Sequence, residues 1–142
     1  MTIMIFLYGK SRYGNYHPNG GGFVENTALA EGSAYVAPMA KVLDSAQVLD
    51  VSEIHGQAII CNNAVVQLGS IVSDHAVVRD DTLVEESTIS GYAVVKDEAQ
   101  VIGSTIGGNA VVRSDGIASG KSLDYYSSDP CDTGCNVDNN TI

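Results

Sequence analysis

Residues 58–72 read Ala-Ile-Ile-Cys-Asn-Asn-Ala-Val-Val-Gln-Leu-Gly-Ser-Ile-Val, and one step occurs three times in them. Each step is a small residue, any residue and an aliphatic residue, and it returns every six positions. Toward the N-terminus the beat holds at Ser52-Glu53-Ile54, Ala46-Gln47-Val48, Ala40-Lys41-Val42 and Ala34-Tyr35-Val36, and Ala30 and Val24 carry it further back. Toward the C-terminus it passes through Ala76-Val77-Val78 and Thr82-Leu83-Val84. One residue is then lost before Ala93-Val94-Val95 and Ala99-Gln100-Val101, and a second five-residue step leads to Ala110-Val111-Val112. A fixed period sustained from about Val24 to Ala118 marks a repeat architecture.

A longer period lies on the short one. Three hexads make eighteen residues, and the chain resembles itself on that scale from Ile54, from Val72, from Ser90 and from Gly107. The two lost residues are read as falling at one place in successive turns, after "STI" both times, as a three-sided coil would tolerate. Each aliphatic residue should point inward and stack on its counterpart one coil away. One column is then Val42, Ile60, Val78, Val95 and Val112, and another is Val48, Val66, Val84 and Val101. The small residues take the cramped corners. Polar pairs such as Asp44-Ser45, Asn62-Asn63, Asp80-Asp81, Asp97-Glu98 and Ser114-Asp115 supply turns. Strands about 4.8 Å apart would stack roughly five coils into a prism about 25 Å tall. An antiparallel sandwich would place its turn signals every 8–12 residues instead.

The pattern of an aliphatic residue with Ala, Ser or Thr four places on resembles the hexapeptide-repeat family. That resemblance implies a left-handed parallel β-helix, although general crossovers of parallel strands are right-handed. It also implies a homotrimer. The fold class expected is thus all-β: a triangular solenoid of about five coils over 23–118, an N-terminal arm or cap over 1–22 and an irregular tail over 119–142.

Composition agrees with such an interior. Hydrophobic residues make up 44% of 142 residues, yet there is no Trp and only two Phe, so the core must be built from Val, Ile and Ala. A net charge of −10 repels phosphate backbones and anionic membranes, which disfavours nucleic acid and membrane as partners. The opening "MTIMIFLYGKSRYG" has neither a basic lead-in nor a small-residue cleavage site, so no signal peptide and no membrane span are expected. Secretion by a signal peptide is therefore not expected.

Six of the nine aromatics lie outside the coils: Phe6, Tyr8, Tyr13 and Tyr16 before them, Tyr125 and Tyr126 after. The ends either cap the open solenoid or reach a partner, since Tyr is favoured at interfaces. "SRYGNYHPNGGGFV" is too rich in Gly for a helix and reads as an extended lead-in, with Gly20 to Gly22 a flexible stretch that matches no phosphate loop. Within the coils, Ile59, Val65, Val77, Val94 and Val111 alternate outward, and an aliphatic stripe of that size marks an interface.

Two enzyme classes share the resemblance. The zinc carbonic anhydrases need three His, with two of them five residues apart. Here His17, His55 and His75 are the only ones, and Asp80 stands five beyond His75. The acyltransferases need a general-base His, an excursion loop and a C-terminal helix over the cofactor. Lys and Arg total 7 and are spread thinly, with no cluster for the phosphates of coenzyme A. His55 and His75 read as solvated turn residues, with a base role left as the alternative. Cys131 and Cys135 lack a second pair or a nearby His, so they read as free thiols or a small-loop disulfide rather than a zinc knuckle. Cys61 is expected to face outward beside Asn62. No cofactor, metal or catalytic residue is assigned. The function expected is a non-catalytic structural or assembly protein that attaches to a larger protein assembly such as a capsid shell. Short uninterrupted solenoids resemble phage proteins of this kind, a virion decoration (capsid cement) or tail-spike-like protein, which implies a virion or cytoplasmic location. The alternative is a small acyltransferase-like hexapeptide-repeat enzyme.

Overall fold

Each hexad is too short to bury an apolar face alone, so it folds as a two- or three-residue strand and a turn that leans on its neighbours. The computed structural model describes residues 2–113 in full, and 117–119 and 122–126 as backbone strands. All strands fall into three sheets that form the walls of a parallel β-solenoid. The first three strands are β1 (Ile3–Leu7), β2 (Lys10–Tyr16) and β3 (Phe23–Glu25). Wall one runs from them through Lys41–Val42, Ile59–Ile60, Val77–Val78 and Val94–Val95 to Val111–Val112. Wall two runs from Leu29–Ala30 to Ile117–Ser119, and wall three from Tyr35–Val36 to Ser122–Tyr126. Five coils are complete among the described residues, and the strands of a sixth, Val111–Val112, Ile117–Ser119 and Ser122–Tyr126, stand on all three walls. No helix among the described residues is long and apolar enough to cross a membrane.

The expected columns form. Val42, Ile60, Val78, Val95 and Val112 are successive partners on wall one. Val48, Val66, Val84 and Val101 are successive partners on wall two. A third column on wall three contains Val36, Ile54, Val72, Ile89 and Ile106. Nearly all of these are fully buried, with Ala and Ser at the corners between them. The two lost residues do share a corner, but it precedes "STI" rather than following it. Leu68-Gly69 turns that corner in one coil, and Glu86 and then Gly103 do so alone in the next two.

The corners use left-handed backbone, where a short polar side chain is the least costly non-glycine choice. Asp44, Asn62, Asp80 and Asp97 sit at φ 58°, 57°, 63° and 64° on one corner. Each donates its N–H to the carboxylate or carboxamide one coil earlier. Glu25 Oε1 takes Asp44 N, Asp44 Oδ2 takes Asn62 N, Asn62 Oδ1 takes Asp80 N, and Asp80 Oδ2 takes Asp97 N, at 2.7 to 3.1 Å. Another corner carries a buried serine ladder, in which the Oγ of Ser52, Ser70 and Ser87 accepts the N–H of Ser70, Ser87 and Ser104. Side chains that would be costly to bury unpaired are satisfied this way.

The N-terminal arm is not a loose lead-in. β1 and β2 form an antiparallel hairpin that prolongs wall one beyond the first coil. Tyr8 and Gly9, at φ 52° and 78°, make its two-residue turn, whose handedness suits the strand twist. The glycine stretch is closely seated rather than flexible. Gly22 N–H donates to Val36 O at 2.9 Å, and a side chain at Gly20 or Gly22 would collide with Val36. At the other end the strand register continues past residue 118, with Ser122–Tyr126 paired to Thr105–Asn109.

Candidate interaction surfaces

The hairpin is locked to the solenoid by one buried cation. Arg12 on β2 is fully buried and donates through Nη1 to Glu25 Oε1 at 2.9 Å and to Asp44 Oδ1 at 2.7 Å. Its Nε donates to the Leu7 carbonyl across the hairpin. Burial alone would lower the Arg12 pKa, but hydrogen bonds to Asp44 and Glu25 outweigh it and raise the value. Burial would likewise raise Asp44, yet the Arg12 hydrogen bond, the Asn62 N–H and the nearby charges of Arg12 and Lys10 hold its carboxyl below the ordinary range. The same Asp44 heads the corner ladder, so hairpin and coils share one electrostatic joint.

The two faces of the hairpin differ. Strand alternation puts Met4, Phe6 and Tyr13 on the face that continues the solenoid's inward side, but here they project beyond the first coil. All three are exposed, Phe6 most, at 70%. Tyr16 is exposed on the opposite face, Tyr8 sits half-buried in the turn, and Tyr125 and Tyr126 lie on the last strand of wall three as backbone only. The expected aromatic ends therefore do not make one surface. Phe6 and Tyr13 come together, and Met4 joins them unforeseen.

The expected aliphatic stripe is also divided. Ile59, Val77, Val94 and Val111 stack on wall one, whereas Val65 stands on wall two. Val77 and Val94 are buried, at 4% and 3% exposure, and Ile59 and Val111 are half-buried. They join Phe23, Leu43 and Cys61 in a second apolar cluster outside the core. Cys61 faces outward beside Asn62 as expected, its Sγ 3.9 Å from Asn62 Oδ1, but it is fully buried and disulfide-bonded rather than open to water. Its possible partners Cys131 and Cys135 lie outside the described residues. The wall that keeps apolar side chains in water is wall two, with Leu29 exposed, Val65, Leu83, Leu49 and Ile102 half-buried, and Val51 and Leu68 exposed at its corner.

The histidines are scattered. His17 is buried, its Nε2 on the Glu31 carbonyl at 2.9 Å and its Nδ1 at Asn19, where it ties the segment after β2 to the first coil. His55 Nε2 meets Glu53 Oε1 at 2.7 Å beside the Tyr35 ring. His75 stacks on Tyr92 with ring centres 4.8 Å apart. Both sit at corners, His75 exposed in its turn and His55 half-buried beside one, and each also has a local ring neighbour. Asp80 is committed to the corner ladder rather than to His75. Among the described residues no three His, Cys, Asp or Glu are grouped to hold a metal.

An open groove of about 230 Å³ lies at the N-terminal mouth, lined by Asn15, Tyr16, His17 and Pro18 on one side and by Glu25, Leu29 and Ala30 on the other. It sits where the first coil's strand of wall two, Leu29–Ala30, has no strand above it among the described residues. The arm covers the corresponding edges of the other two walls, through β2 and through Asn19 and Gly22 bonded to Val36. The fold and these surfaces define a three-walled parallel β-solenoid with a hairpin cap. Comparisons with protein-family models, curated proteins and solved structures find no match for the chain.

Proposed function

We propose that this chain is a non-catalytic structural protein, a rigid β-helical prism of the hexapeptide-repeat kind that attaches through its hairpin end to a larger protein assembly. One observation carries the reading: four of the largest exposed apolar side chains, Met4, Phe6, Tyr13 and Tyr16, crowd onto one hairpin. That hairpin is fixed rigidly by the Arg12–Glu25–Asp44 joint. Exposed aromatics on a preorganised element lose little entropy on binding. The coils between residues 24 and 113 meanwhile project no loop. A phage virion decoration (capsid cement) protein or a tail-spike-like protein is the role such a prism suits.

The prism is proposed to be a homotrimer, with wall two as the shared face, because Val65 and Leu83 stand there among other aliphatic residues. Sedimentation equilibrium tests this: a trimer that falls to monomer in Leu83→Glu supports it, and a monomer at micromolar concentration sinks it. Attachment is tested in the parent particle. Phe6→Ser with Tyr13→Ser should leave the fold intact and release the protein. Micromolar binding of acetyl-CoA, with turnover lost in His75→Ala, would replace this reading by the acyltransferase one.

A further inference from the structure

All three walls end at the first coil, but only two of the three ends are closed. In a parallel ladder the edge facing the preceding coil offers a carbonyl, an N–H and a second carbonyl. On wall three these are Ala34 O, Val36 N and Val36 O, and the arm meets each of them. Asn19 Nδ2 donates to Ala34 O at 2.9 Å, Val36 N donates to Asn19 O at 3.0 Å, and Gly22 N donates to Val36 O at 2.9 Å. On wall one β2 pairs with β3, and His17 N donates to Gly22 O at 2.7 Å. The matching groups of wall two are Ala28 O, Ala30 N and Ala30 O. None of these has a hydrogen-bond partner among the described residues, while the N–H groups of Leu29 and Glu31 serve the next coil at Ala46 O and Val48 O. An unpaired strand edge of this kind is a template for another strand.

Three further observations specify what fits it. The groove at the mouth runs along this edge, with Ala28, Leu29 and Ala30 on one side and Tyr16 and Pro18 on the other. The inward column of wall two begins with Ala30, half-buried, where the deeper coils have the fully buried Val48, Val66 and Val84. The column is thus open at its top, and its small first residue leaves room for an aliphatic side chain set down on it. Finally, Glu31 and Asp50 are exposed at the corner just past this strand, and among the described residues no Lys or Arg bridges either of them. A cation at that end of an added strand would be favoured. Within the described coils, an aliphatic residue followed within two places by Lys or Arg occurs only at strands of wall one, already in use, so a second copy has no such segment to lend.

We propose that the wall-two edge at the N-terminal mouth is a docking site for an extended segment of a partner protein, which adds to Leu29–Ala30 as a parallel strand. The direction follows wall three, where Asn19 to Gly22 runs parallel to Ala34–Val36. The segment supplies an N–H to Ala28 O, a carbonyl to Ala30 N and a second N–H to Ala30 O. It sets one aliphatic side chain on Ala30 and carries Lys or Arg within two places after it, near Glu31. This edge is separate from the Phe6 and Tyr13 face of the hairpin, so this reading and the attachment reading can fail independently.

Amide exchange measured by NMR on the native full chain tests it. The probe is acetyl-Ala-Gln-Val-Leu-Lys-amide, which is the wall-two run Ala46–Leu49 with a Lys added. Without peptide the Ala30 N–H should exchange freely, whereas the Val36 N–H is protected. At a peptide concentration about ten times its Kd, Ala30 exchange should slow about tenfold. Methylating the peptide nitrogen of Gln or of Leu should abolish the effect, because those N–H groups reach Ala28 O and Ala30 O. Methylating that of Val, which faces away, should not. No slowing at millimolar peptide overturns the proposal, as does the opposite methylation pattern or an Ala30 N–H already protected in the chain alone. Protection that rises with chain concentration alone makes a second copy the occupant and overturns it too. Ala30→Pro removes an N–H that the coils do not use, so it should leave the melting temperature unchanged and abolish peptide binding. Should that variant not fold, the methylated peptides decide alone.

Discussion

Walls one and two are written in the same hexad, and their inward residues are interchangeable: Val78 and Val84 are both fully buried in one core. They part on the outside. Wall one turns Val77 and Arg79 away from water, while wall two leaves Leu83 and Glu85 half in it. In a solenoid the inward position is fixed by the stack above and below it, so it cannot vary without breaking a column. The outward position is constrained only by what lies over it, so it is free to become a docking surface, a charge row or plain surface.

The largest effect separates inside from outside. Val78→Asp should abolish folding, because an unpaired carboxylate in an apolar column exceeds the whole stability margin of ~5–15 kcal/mol or comes close to it. Val65→Asp on wall two should cost only about 0.5 kcal/mol per monomer. Circular dichroism during thermal unfolding compares the two, and equal losses would mean that wall two is as enclosed as the core.

Next comes the hairpin joint that wall one has and wall two lacks. Arg12→Ala leaves Glu25 and Asp44 facing each other without their cation and should cost roughly 3 kcal/mol, the low end for breaking a buried pair since Asp44 is partly in water. Urea denaturation reads it. The same joint sets a pH dependence. The Asp44 pKa is lowered on folding, so its contribution is fully present above the unfolded-state value and is lost as pH falls through the folded-state one. Stability should therefore drop on acidification through and below the ordinary carboxylate range, and Arg12→Ala should flatten that slope. An unchanged slope would place the acid sensitivity elsewhere.

Corner substitutions give smaller changes. Asp80→Ala removes the acceptor for Asp97 N and leaves Ala at φ 63°, for about 1–2 kcal/mol. Smallest is Leu68→Gly at a corner of wall two. It relieves left-handed strain of about 1 kcal/mol but gives up a similar amount of chain entropy, so the midpoint should hardly move.

Much of the fold was legible because a solenoid's core is written locally. Each small and aliphatic pair states its own orientation, and eighteen-residue spacing states its partner, so the columns from Val42 to Val112 and from Val48 to Val101 could be drawn without coordinates. The hairpin was missed although its signal is present: Tyr8-Gly9 stands between two alternating runs, a two-residue turn. The Arg12 joint had no such signal, since Arg12, Glu25 and Asp44 are separated by 13 and 32 residues and meet only through the hairpin.

By itself, then, the amino-acid order determined the three-walled coil, its core and its polar corners, because strand alternation and an exact spacing are properties of the chain taken a few residues at a time. Only the tertiary structure decided what the outward residues do. Val77, Val94 and Cys61 alternate outward as surely as Val65, yet they are buried and Val65 only half so, because the surroundings of an outward side chain are set by tertiary packing, which no local period records.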